Sequence, residues 1–181
     1  IDKIQLPEKE ELATEDKWIL TAFNRTVKSV RQSLDHYEIG VALSNLYDFL
    51  GDVFCDWYIE LSKASLSEKD THQNLVTQNV IAFVLVGTLK LLHPFMPFIT
   101  EEIYQSLPHE AESIMIDCYP EPDEALDFSG EAAHMERLIA VIRAIRARRN
   151  EMNVPPARKA HIYLATAYPE SFGPETEPFF R

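Results

Sequence analysis

Glycine is scarce in this chain, with five in 181 residues. A phosphate cradle needs closely spaced glycines so that backbone amides can approach the ligand, and no such loop is spelled here. Cysteine is scarcer still: Cys55 and Cys118 are the only two, too few for a disulfide framework and without His or Cys partners at zinc-ligand spacing. The six histidines are scattered in the same unhelpful way, so no metal site is expected. Positive charge is in deficit, 17 Lys and Arg against 29 Asp and Glu, for a net charge of −12. That balance excludes a domain that grips nucleic acid by broad phosphate neutralisation. Long apolar runs are missing as well. The longest, residues 80–92, falls short of the roughly 20 residues a membrane span needs and includes Gly87, Thr88 and Lys90. It reads as a helix buried in protein, and no membrane partner is expected. No basic start followed by an apolar segment opens the chain, so no secretory leader is visible and a reducing cytoplasm fits. The first residue is Ile1 and residues 2–16 are polar and aperiodic, as in a piece cut from a longer protein.

What is present is helical periodicity. From Ile19, Phe23, Val27, Val30, Leu34 and Tyr37 recur at spacings of three and four, the rhythm of one helix face. Thr14 stands where a cap belongs, with Glu15 and Asp16 in the first turn. Ile39, Leu43, Leu46, Leu50, Val53, Trp57 and Leu61 repeat the pattern, so two helices joined near Tyr37 should pair antiparallel. Gly40 and Gly51 each cost this second helix about 1 kcal/mol relative to alanine, which predicts bending or a close neighbour. Ser67-Glu68-Lys69-Asp70 has the form of a capping box opening a central helix that becomes apolar on all sides by Val80. Ile114-Met115-Ile116 and the proline-bearing stretch after it read as a looped connection. Ser129-Gly130-Glu131 starts a last helix with Met135, Leu138, Ile142 and Ile145 on its inner face. His161-Ile162-Tyr163-Leu164 is rich in strand formers, but a lone strand cannot satisfy its own backbone groups. The architecture expected is therefore all-α, an antiparallel helix bundle with helical structure from about Glu15 to Arg149 and breaks near Tyr37, Ala64, Pro94 and Pro108.

The sharpest signal is Leu92-His93-Pro94-Phe95-Met96-Pro97-Phe98-Ile99-Thr100-Glu101-Glu102-Ile103-Tyr104. Two prolines three apart force a break, since each lacks an amide hydrogen and disfavours helix in the residue before it. Thr100 then offers a capping hydroxyl and Glu101 and Glu102 suit the positive end of a restarting helix. This string, with Phe54-Cys55-Asp56-Trp57-Tyr58-Ile59-Glu60-Leu61-Ser62-Lys63 and Met152-Asn153-Val154-Pro155-Pro156-Ala157-Arg158-Lys159-Ala160, resembles the anticodon-binding region of valyl-tRNA synthetases. The resemblance covers about Thr14 to Ala160. It implies the helical anticodon-binding domain of the class I aminoacyl-tRNA synthetase type, with an extended lead-in at 1–13, the bundle at 14–154 and the start of a truncated α/β segment at 155–181. It further implies that tRNA(Val) is bound through its anticodon region, beside catalytic and editing domains of a parent chain that attaches valine using ATP. The ATP-holding motifs of that family are absent here, so no catalytic residue and no cofactor are expected in the fragment. Gly51 stands where the family usually has tryptophan. The family's bundle begins with a helix resembling FANKIWNASRF, and this chain begins after it.

The residues offer few other candidates. Asp56 and Glu60 share a helix face, but Glu60 can pair with Lys63 and no nucleophile stands nearby, so they read as solvated charges. Trp57 and Tyr58 read as core aromatics, and His93 as a group that bonds free carbonyls at a helix end. Only the basic residues remain for RNA. Arg25, Lys28 and Arg31 are three apart on the polar face of the first helix. Arg146 and Arg149, with Arg143 and Arg148, crowd the end of the last helix, where they also suit its negative pole. A helical protein-interaction module without RNA binding is the alternative reading.

Overall fold

The computed structural model describes residues 1–155 together with 158, 161, 163–168, 172, 173 and 176. Two compact units divide the chain, Ile1–Ala132 and Ala133–Arg181. In the first, α1 (Thr14–Asp35), α2 (Ile39–Asp48), a π-helical segment (Phe49–Tyr58), α3 (Ile59–Ser67), α4 (His72–Leu92) and α5 (Pro97–Gln105) follow in order. Short 3₁₀ turns at Ile114–Ile116 and Glu124–Leu126 punctuate the connection to α6 (Ser129–Glu151), which crosses the boundary between the units. Among the described residues there is no strand. His161, Tyr163 and Leu164 are irregular chain, and Ile162 lies outside the described residues, as does much of the expected α/β segment.

α1 buries Ile19, Leu20, Phe23, Val27 and Val30, the face its periodicity predicts up to Val30, whereas Leu34 is half-buried and Tyr37, already in the closing turn, is exposed. Its cap differs from expectation. Ala13 occupies the capping position and Thr14 is already helical; the Asp16 carboxylate, three residues on, accepts from the Ala13 amide at 3.2 Å. The helix ends where expected, in a Schellman turn: the Glu38 amide donates to the Ser33 carbonyl and the Tyr37 amide to Leu34. Tyr37 itself sits at φ 60, a left-handed conformation that costs a bulky residue about 1–2 kcal/mol.

Beyond that turn the chain runs back along α1, as the pairs Ser29 with Asn45 and Asp16 with Tyr58 record, one number rising as the other falls. The inner face of this second rod is not the one its spacing predicts. Ala42, Leu46, Phe49, Phe54, Trp57, Tyr58 and Ser62 are buried, whereas Ile39 is exposed and Leu43, Leu50 and Val53 are half-buried. The five-residue step from Phe49 to Phe54 falls inside the π-helical segment, whose longer-range hydrogen bonds rotate the face. Gly40 and Gly51 meet no neighbour where a Cβ would stand, so neither marks a close approach. The rod runs on past Ala64 to Ser67, and Thr71 caps α4 by accepting from the Asn74 amide at 3.1 Å. The capping box expected at Ser67 is thus displaced by one turn, with Asp70 taking the left-handed position in the connecting turn.

α4 is the central helix. It packs against α1, α2, α3 and α5 and buries eleven side chains around its circumference, from Asn74 to Leu92. On length and composition alone it could cross a membrane, but a little over half of its apolar window is covered by protein here. The crossing with α1 is close at Gly87, where a Cβ would lie 2.4 Å from the Phe23 ring. That ring meets Phe83 edge-on and Phe49 obliquely, both with centroids 6.0 Å apart. Each fully buried aliphatic side chain in this layer is worth about 1.5–3 kcal/mol.

After the Pro94 break, Pro97 takes the first position of α5, where its missing amide hydrogen is harmless. Thr100 is not the cap it resembled. It lies a turn inside the helix, fully buried, and donates its hydroxyl proton to the Met96 carbonyl at 2.8 Å. His93 Nδ1 stands 2.7 Å from the same hydroxyl. The imidazole thus pins the kink through Thr100 rather than bonding helix-end carbonyls. The polar lead-in, which has no periodicity, is nonetheless fastened: the Gln5 amide donates to Asn79 at 2.8 Å, Glu11 meets His72 at 2.7 Å, and Ile4 packs beside Val86, Leu89, Tyr104 and Ile114.

Candidate nucleic-acid interface

The expected basic residues fall into both units. In the first, Arg25 and Lys28 are exposed on α1. Arg31, one turn further, turns inward to the connection: its guanidinium donates to the Pro120 carbonyl at 3.0 Å, pairs with Glu121 at 3.4 Å and lies over the Tyr119 ring at 5.9 Å. The three do not act as one ridge, because the last holds a loop in place.

In the second unit α6 buries Met135, Leu138, Ile139 and Ile142, while Ile145 is only half-buried. Its end repeats the turn that closes α1. The Val154 amide donates to the Arg149 carbonyl and the Asn153 amide to Asn150, with Asn153 at φ 52. Arg143, Arg146 and Arg148 are exposed there, and Arg148 pairs with Glu151 at 2.8 Å. Arg149 is half-buried and reaches past the helix end. Its Nη2 donates to the carbonyls of Pro155 at 2.8 Å and Arg158 at 2.7 Å, so it clamps the segment after the helix.

Two polar clusters, one buried around Asp16 and one half-buried around Asp117, were not legible from spacing, because their members lie far apart in the chain. Tyr58 donates to Asp16 at 2.6 Å, with the Gln73 amide adding a contact at 3.3 Å. Burial drives the Asp16 carboxyl above its ordinary value and the Tyr58 hydroxyl far above its own. In the second cluster Tyr104 donates to Asp117 at 2.6 Å and Lys90 pairs with the same carboxylate at 2.8 Å. The second cluster edges a cleft of about 770 Å³ with Phe23, Phe83 and Gly87 at its apolar floor. Glu110, Glu121 and Asp123 line the same cleft, a surface that repels phosphate. Asp56 is exposed, Glu60 pairs with Lys63, and Trp57 and Tyr58 are core. Among the described residues no group of three His, Cys, Asp or Glu side chains is placed to hold a metal ion.

The chain is thus all-helical among the described residues, with its central helix ended at the Pro94 break and the cations singled out for RNA carried on α1 and α6. The chain belongs to a family described as the anticodon-binding domain of tRNA ligase, whose model matches residues 16–164. Among curated proteins it is 46% identical over 160 residues to the valine–tRNA ligase of Bacillus licheniformis. It is 44% identical over 155 residues to that of Staphylococcus carnosus and 45% over 154 residues to that of Bacillus cereus. These matches take in 88%, 86% and 85% of this chain, but only 18% of each relative's length.

Proposed function

We propose that this chain is the anticodon-binding part of a longer valine–tRNA ligase. It holds tRNA(Val) by the anticodon region while domains elsewhere in the parent chain bind ATP, attach valine and edit wrongly attached threonine, in the cytoplasm. The observation that carries this reading is the family match over residues 16–164, joined to valine-specific relatives over 85–88% of the chain. By itself the stretch is a binding module: valine activation belongs to the remainder.

Binding is local rather than global. A net charge of −12 opposes phosphate, so the contacts come from exposed cations. Arg146 is the leading candidate, and Arg149, clamped to two carbonyls, shapes the segment beside it. Arg25 and Lys28 form the second candidate group, with Arg31 supporting them from the loop it holds. The test is filter binding of tRNA(Val) to the intact ligase at two salt concentrations. Replacing Arg146 and Arg149 by Gln should lower affinity about tenfold and flatten the salt dependence by about one unit per lost phosphate contact. Unchanged affinity with an unchanged salt slope would show that these arginines serve the protein and not the RNA.

A further inference from the structure

We propose that the outward face of α5 docks the remainder of the ligase chain. This rests on the reading that the domain is carried in a longer ligase, and not on its affinity for RNA. Thr100 and Tyr104, four apart, anchor the helix inward. Facing out are Phe98, 91% exposed, with Ile99 at 52% and Ile103 at 37%. At about 100° per residue, Phe98, Glu102, Ile99 and Ile103 span roughly 140° of the helix circumference, and Glu102 is the one polar residue among them.

Apolar side chains next to α5 add to this face. On one flank Met115 and Ile116, 75% and 70% exposed, sit in a turn tied to α5. The ties are Ser113 donating to Glu101 at 2.7 Å and Gln105 donating to the Glu112 carbonyl at 2.8 Å. At the start of α5, half-exposed Tyr47 reaches the Met96 sulfur at 3.7 Å. Soluble proteins rarely leave so many large apolar side chains together in water unless a partner covers them.

The chemistry of the face selects its occupant. α5 carries no Lys or Arg, and Glu101 and Glu102 repel phosphate, so RNA is disfavoured. The curated relatives extend well beyond the matched 18% of their length, so protein of the same chain is at hand at high effective concentration. The complementary surface is apolar with a basic side chain facing Glu102.

Hydroxyl-radical footprinting of the intact ligase tests this directly, since Phe98 and Met115 both react with the radical. Both should oxidise at least tenfold more slowly than in a free peptide of residues 94–118, with or without tRNA. In the same ligase, Phe98→Glu with Ile103→Glu should restore peptide-like oxidation at Met115 and enlarge the radius of gyration, while tRNA affinity stays within twofold. Oxidation of the unaltered ligase at the peptide rate overturns the proposal. So does protection that appears only when tRNA is added, which assigns the face to RNA, or only at concentrations where sedimentation shows a dimer, which assigns it to a second copy. Loss of all tRNA binding with the footprint intact would strike the anticodon reading and leave this one standing.

Discussion

Tyr58 and Tyr104 are both fully buried and each donates to an aspartate at 2.6 Å, yet the two carboxyls shift in opposite directions. Asp16 is 1% exposed, and its partners, Tyr58, Gln73 and the Ala13 amide, are all neutral. Burial dominates and raises its pKa above the ordinary 3.8. Burial pushes Asp117 upward as well, but bonds from Lys90 and Tyr104 and the charge of Lys90 outweigh it, and the carboxyl lies below its ordinary value. The Tyr104 hydroxyl is correspondingly pushed up to about 12 by burial and by that carboxylate. At Asp16 the tyrosine bond does not outweigh burial, and at Asp117 the added lysine reverses the direction of the shift.

The widest separation between the two sites should come from removing each hydroxyl. Tyr58→Phe leaves a buried carboxylate short of its closest donor and should cost about 2–3 kcal/mol, whereas Tyr104→Phe should cost about 1 kcal/mol because Lys90 remains. Urea denaturation measures both, and a larger loss for Tyr104→Phe would invert the comparison. Lys90→Met should make the second site resemble the first. It should cost about 1–2 kcal/mol, less than a wholly buried pair because both side chains are 20% exposed, and should move the Asp117 titration upward. An Asp117 carboxyl resonance that titrates unchanged in this variant would show that the tyrosine alone suffices.

The smallest effect is in the pH dependence. Asp16 holds its proton more tightly in the folded state, so its contribution favours folding below the ordinary 3.8 and is lost as pH rises through its raised folded value. Asp117 has the opposite sign: its contribution is present above 3.8 and is lost as pH falls through its lowered folded value. Asp16→Asn should therefore remove a decline in stability as pH rises above about 4, while Asp117→Asn should remove a decline on acidification. Parallel stability–pH profiles for the two variants would contradict these assignments.

Much of the bundle was legible because apolar spacing reports a helix wherever hydrogen bonding is regular. The breaks at Tyr37 and Pro94 came through for the same local reasons. The inner face of the second rod did not, since a π-helical segment changes the phase with no proline between Phe49 and Tyr58 to announce it. Caps at Ala13 and Thr71 were misplaced by residues that look like caps but lie a position or a turn away. Among the candidate site residues, Arg31 and Arg149 were legible as cations but not as clamps, because their carbonyl partners, Pro120 in one case and Pro155 with Arg158 in the other, carry no side-chain signal. The pairing of Asp16 with Tyr58 and of Asp117 with Lys90 was hidden by distance along the chain.

For anyone redesigning the domain, its helical glycines are of two kinds. Gly40 and Gly51 look onto open space, so helix propensity can be raised there by replacing either with alanine. Gly87 is the opposite: the Phe23 ring already occupies the volume a methyl group would need. The contact between α1 and α4 thus defines a fixed point around which the rest of the surface can be rewritten.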